Sequence, residues 1–131
     1  KVSLAAARIK AGLQNSVSLG VLDSARDWGY AKDYVHAMWL MLQQDQADDF
    51  VVATGKSHTI RDLLQTAFGH VGLAWQDHVK LDIRFKRPAD AHDLLGNPAK
   101  AVRQLGWRPS VTFAELIQLM VDEDWKQVMK Q

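Results

Sequence analysis

The sequence predicts a helix-dominated α/β domain with few short strands. Apolar residues recur at helical spacing in several windows, two of those windows open on capping boxes, and only short β-type runs lie between them. Val2, Ala5, Ala6, Ile9 and Leu13 share one helical face over residues 2–13, with Arg8 and Lys10 off it. A second helix is predicted over 33–44, with the Asp33 carboxylate as its N-terminal cap. Its run Val35, Ala37, Met38, Trp39, Leu40, Met41, Leu42 is apolar nearly all round, which predicts burial on several sides. Phe50–Ala53 reads as a short buried strand closed by Gly55. The third helix, 59–71, presents Ile60, Leu63, Leu64, Ala67, Phe68 and Val71 behind a Thr59–Asp62 capping box. Trp75 to Phe85 alternates loosely and predicts one strand. Asn97-Pro98 starts a short helix that Gly106 stops. Thr112 and Glu115 box the start of a last helix running to about Lys130, with Phe113, Leu116, Ile117, Met120, Val121 and Val128 on its face.

Size and charge narrow the function classes. A chain of 131 residues is a single domain, 1–131, and 47% hydrophobic residues can fill a core. Sixteen basic against fifteen acidic residues leave a net charge of +1, so no general field favours nucleic acid or an anionic membrane. Any anion site must be local. The absence of cysteine excludes disulfides and thiolate metal sites and agrees with a reducing compartment. The apolar runs fall short of a membrane span and the start lacks a secretion-signal pattern, so the expected location is the cytoplasm. His36, His58, His70, His78 and His92 lack the spacing and neighbours of a metal centre.

Two arginines carry the local anion chemistry. Arg26 stands in Arg26-Asp27-Trp28-Gly29-Tyr30, at the mouth of the second helix, and Arg87 stands in Arg87-Pro88-Ala89-Asp90. A guanidinium fork meets phosphate oxygens two at a time and keeps its charge at any physiological pH. Two of them on different loops suit a ligand with two phosphates. Asp27 has no second carboxylate placed by sequence to perturb it, so orienting Arg26 or a backbone turn is the expected role. Trp28 is expected to be core, and Asp122-Glu123-Asp124 a solvated face.

Several segments together carry a family resemblance. Ile9-Lys10-Ala11-Gly12-Leu13-Gln14, the run from Leu22 to Val35, Met38-Trp39-Leu40-Met41-Leu42-Gln43-Gln44, Arg87-Pro88 and Leu105-Gly106-Trp107 resemble the C-terminal portion of GDP-mannose 4,6-dehydratases, in the extended short-chain dehydrogenase/reductase superfamily. The resemblance covers essentially the whole chain. It implies the substrate-binding domain of such an enzyme without its N-terminal Rossmann domain. The opening inside a helix pattern, and a single buried-type strand that cannot satisfy its own backbone groups, fit a piece of something larger.

By matched position, the resemblance implies that Arg26 and Arg87 grip the diphosphate and ribose region of GDP-mannose. It implies that Lys1 contacts the diphosphate and that Asp90 accepts from a ribose hydroxyl where the family usually has Glu. Val21 stands where an Asn is usual and Ala25 where a more polar residue is usual. The family's NADP site and Tyr-x-x-x-Lys pair have no counterpart here: Tyr30 and Tyr34 are followed four residues on by Tyr34 and Met38. No catalytic, cofactor or metal residue is therefore assigned, NADP belongs to the parent enzyme, and no turnover is expected of the chain alone. Expected partners are GDP-mannose, the missing Rossmann domain and a second copy of the chain. Two other readings stand beside this one: the substrate domain of another nucleotide-sugar epimerase or reductase, and a non-catalytic interaction module.

Overall fold

Three helices build the main core. The computed structural model describes residues 1–85 and 93–130, the Asp93 side chain excepted. Helix α1 (Val2–Lys10) packs with α3 (Ile60–His70) and α5 (Phe113–Val128), and Val2, Ala5, Ala6, Ile9, Leu64, Ala67, Phe68, Ile117 and Val121 interlock between them. The small Ala5 and Ala6 let neighbouring helices approach α1 closely, while Phe68, Leu64 and Val121 are the largest fully buried side chains. Burying each contributes roughly 1.5–3 kcal/mol. Helix α1 is shorter than its apolar spacing predicts: Gly12 takes a positive φ of 73° just beyond it, and Leu13 is exposed.

Both predicted capping boxes form. Thr59 Oγ1 accepts from the Asp62 amide while the Asp62 carboxylate accepts from the Thr59 amide, and Thr112 and Glu115 repeat the exchange at α5. The Thr59 and Thr112 amides hold the Asp62 and Glu115 carboxyls below their ordinary values. The acidic face near the end of α5 is partly engaged: Asp122 Oδ1 lies 2.7 Å from His70 Nε2, and Lys126 Nζ donates to Glu123 Oε1 at 2.6 Å.

Among the described residues the strands are short and fall in two sheets. Strands β1 (Val17–Leu19) and β4 (Val79–Leu81) pair in parallel with Val17 opposite Val79. The predicted strand over 75–85 is confined to β4, between single turns of 3₁₀ helix at Trp75–Asp77 and Ile83–Phe85. In the second sheet β2 (Ala25–Arg26) is central, antiparallel to β3 (His58–Thr59) on one side and parallel to β5 (Asp93–Leu94) on the other.

Helix α2 (Ala31–Leu42) and α4 (Ala99–Leu105) make a second, smaller core of Ala37, Ala101, Leu105 and Trp107, flanked by Tyr34, Leu40, Met41, Phe50 and Val52. Gly106 ends α4 with φ 64°, and Asn97 Oδ1 accepts from the Ala99 amide at its start. Three expectations fail here. Helix α2 begins at Ala31, with Tyr30 at the cap position and no side-chain bond, so Asp33 lies within its first turn instead of capping it. The helix is not buried on several sides: Val35, Met38, Trp39 and Leu42 are exposed. Phe50–Ala53 forms no strand, because nothing among the described residues pairs with its backbone. Its seat is close packing, since a Cβ at Gly96 would overlap the Ala53 methyl.

Candidate functional site

Arg26 is held by the middle strand of a three-stranded sheet. It pairs with His58 across β3 and with Leu94 across β5, so backbone bonds constrain it from both sides. The Asp27 amide extends the ladder by donating to the Leu94 carbonyl at 3.1 Å. Arg26 is half-buried, and its Nη1 donates to the Ala25 carbonyl at 2.7 Å. Folding back on its own strand lowers the conformational freedom of a long side chain that would otherwise cost entropy to order on a ligand.

The next residue works on the backbone, as the sequence predicts. Asp27 Oδ1 accepts from the Thr54 amide at 3.0 Å and the Thr54 hydroxyl at 2.5 Å, and Oδ2 accepts from the Gly55 amide at 2.9 Å. Three donors converge on one carboxylate. Gly55 makes this turn possible with φ 76°, a left-handed conformation that costs a residue with a Cβ roughly 1–2 kcal/mol. The Thr54 hydroxyl also accepts from the Lys56 amide at 3.2 Å, and the chain then enters β3 beside Arg26.

A second carboxylate ties the same region to a distant loop. Asp33 is buried and accepts from the Ser110 amide at 2.8 Å and the Ser110 hydroxyl at 2.5 Å, while its carbonyl accepts from Trp107 Nε1 at 2.8 Å. Its role is a tether across 77 residues, which no local pattern could reveal. A Cβ at Gly29 would overlap the Tyr34 hydroxyl, which explains a glycine in this turn. Burial, followed by the Asp27 and Asp33 carboxylates, pushes the Tyr34 phenol up.

Trp28 is half-buried, with its ring centroid 5.8 Å from that of Phe113. His58 stacks on the same Phe113 ring at 3.9 Å and 8°. These rings, with Lys56, Pro98 and Arg108, line a cavity of about 600 Å³ beside the Asp27 turn. The sequence gives no periodic or motif signal for it, because its walls come from four separate segments.

The Lys1 ammonium donates to the Ser18 carbonyl at 2.8 Å and lies 4.3 Å from the Phe85 ring centroid. Those contacts fix the start of α1 against β1. Arg87 and Asp90 lie outside the described residues, as do Pro88 and His92. Among the described residues no three His, Asp or Glu side chains gather to hold a metal ion, and no helix is long and apolar enough to cross a membrane.

Comparison with known proteins decides the lineage. The family described as GDP-mannose 4,6 dehydratase matches residues 1–120. The chain belongs to that family. It is 52% identical over 124 residues to GDP-mannose 4,6 dehydratase 1 of Arabidopsis thaliana, covering 95% of this chain and 34% of that protein. Against the human GDP-mannose 4,6 dehydratase it is 41% identical over 141 residues, 95% of this chain and 38% of the relative. The chain thus spans about a third of the length of these relatives. Among solved structures, RMD from Pseudomonas aeruginosa complexed with NADPH superposes with a TM-score of 0.84 at 23% identity, over 96% of this chain and 41% of that one. A dTDP-glucose 4,6-dehydratase of Bacillus anthracis in complex with NAD superposes with a TM-score of 0.77 at 18% identity, over 97% and 38%. At these identities the likeness shows a shared fold, and it agrees with the predicted helix-dominated α/β architecture with few short strands.

Proposed function

We propose that this chain is the GDP-sugar-binding portion of a GDP-mannose 4,6-dehydratase, with Arg26 as its anchor for the diphosphate. The observation that carries the reading is the fixation of Arg26. In a chain of this family, the arginine of the Arg-Asp-Trp-Gly motif sits on a central strand, bonded on both sides and backed by the Asp27 turn. An arginine held in this way meets an incoming anion with little further ordering. Lys1 at the start of α1, Arg87 and Asp90 complete the proposed set, Arg87 on the diphosphate and Asp90 on a ribose hydroxyl.

The chain's residues do not fit the nicotinamide cofactor that NADPH- and NAD-bound structural neighbours imply for a parent enzyme. Gly69 and Gly72 close α3, with Gly72 at φ 72°, and make no phosphate-cradling turn at a helix start. The contribution proposed for this chain is positional: binding energy on the nucleotide, remote from the sugar, holds the reacting carbons in register with chemistry supplied by the rest of a parent protein.

Calorimetric titration with GDP tests the reading. Replacing Arg26 by Ala removes a charge-assisted contact worth about 1.5–3 kcal/mol, a weakening of roughly ten- to a hundredfold. Unchanged GDP affinity in Arg26→Ala would remove Arg26 from the site.

The exposed stripe of α2 belongs to the same proposal. Val35, Met38, Trp39 and Leu42, at 62, 59, 57 and 82% exposure, fall on one face at i, i+3, i+4, i+7 spacing. A longer polypeptide of the relatives' length would cover this face and pair the backbone of Phe50–Ala53. In the 131-residue chain alone, a second copy is the proposed occupant.

A further inference from the structure

We propose that Asp27 is a positioning residue for nucleotide binding, acting through Arg26 by closing the Thr54–Gly55 turn onto the end of β2. The inference rests on the reading of Arg26 as the diphosphate anchor and says what aims it.

The geometry makes a closed ring of contacts. β2 and β3 share a ladder of only two residue pairs, Ala25 with Thr59 and Arg26 with His58. So short a ladder specifies register weakly on its own. The segment entering β3 comes directly from the Thr54–Gly55 turn, and that turn is bound to the residue next to Arg26 through the amides of Thr54 and Gly55 and the Thr54 hydroxyl. The Asp27 amide meanwhile holds β5 through the Leu94 carbonyl. One residue therefore links the three strands around the arginine: β2 covalently, β5 through its backbone, and β3 indirectly, through the Thr54–Gly55 turn that leads into it.

Carboxylate chemistry is required here. Among the described residues, the groups that bond the two oxygens are all donors, so an acceptor-only side chain satisfies them. In Asp27→Asn one oxygen becomes an NH₂ that must face either the Thr54 donors or the Gly55 amide. At least one backbone donor then loses its partner and the turn moves away from the strand. Arg26 keeps its charge and loses its aim. Near-attack placement is sensitive to shifts of this size, where ångström displacements change rates and affinities strongly.

A double-mutant cycle read by GDP calorimetry on the folded chain separates aiming from general stability. Asp27→Asn is expected to weaken GDP binding about tenfold, the scale of one misplaced charge-assisted contact. In the Arg26→Ala background the same change is expected to have no further effect, because the group it aims is gone. Thr54→Val, which deletes one of the donors, should weaken binding less, and Thr54→Ser should restore the wild-type affinity by returning the hydroxyl. The Thr54 pair decides the question if Asp27→Asn fails to fold. Equal weakening with and without Arg26 would overturn the aiming role, as would an Asp27→Asn protein, or a Thr54→Val one, that binds GDP like wild type. Unchanged affinity in Arg26→Ala would instead overturn the nucleotide-binding reading on which the proposal stands.

Discussion

At the scale of single residues, the Asp33 carboxylate does a different structural job from the one its position advertises, whereas Asp27 binds a backbone turn as expected. Asp33 stands two residues inside α2 and spends its charge on Ser110, leaving the helix start without a side-chain cap. Competition explains this: an exposed cap bond is worth about 1 kcal/mol, while a buried carboxylate accepting an amide and a hydroxyl satisfies three groups that would otherwise be desolvated without partners. Asp33→Ala is accordingly expected to lower unfolding stability by about 1–3 kcal/mol, read as a reduced urea midpoint with an unchanged slope. A midpoint equal to wild type would show that the tether to Ser110 contributes nothing.

At the scale of elements, α2 presents a second apolar face on the side opposite its contact with α4. Ala37 packs inward against Ala101 and Trp107, and Val35, Met38, Trp39 and Leu42 face outward. Self-association through that stripe is the expected behaviour of the 131-residue chain, and Trp39→Glu should shift it toward monomer in light scattering while far-ultraviolet circular dichroism stays unchanged. A wild-type chain that scatters as a monomer at high concentration would contradict it. What was legible in the sequence divides along the same line between local and distant. Both capping boxes, the α3 face, the α5 face apart from the exposed Met120, and the Gly106 stop depend on residues three or four apart, and each is found where predicted. Phe50–Ala53 has the composition of a strand, but strand formation depends on a partner, and none lies among the described residues. The α2 apolar run signals burial correctly for one face, whereas the cover for the other face lies outside anything a helical period encodes.

At the scale of the whole molecule, a three-helix core fixes the frame and a small sheet on its flank carries the arginine. The family was readable from the Arg-Asp-Trp-Gly and Trp-Leu-Met-Leu-Gln-Gln segments, and it is shown by the match over residues 1–120. The cavity beside Trp28, His58 and Phe113 was not readable, since its walls meet only through the tertiary fold. That cavity and the Arg26 strand are two places on one chain where a nucleotide could lodge, and they differ in build: stacked rings with Lys56 and Arg108 in the walls of one, a strand-braced guanidinium in the other. An isotope-edited NMR titration of the chain with GDP distinguishes them directly by following the arginine Nε–H and backbone signals. The expected result is saturable movement of the Arg26 and Arg87 side-chain signals, with the Asp27, Thr54 and Gly55 amides following. Movement confined to the signals of Trp28, His58 and Phe113, with Arg26 still, would contradict it.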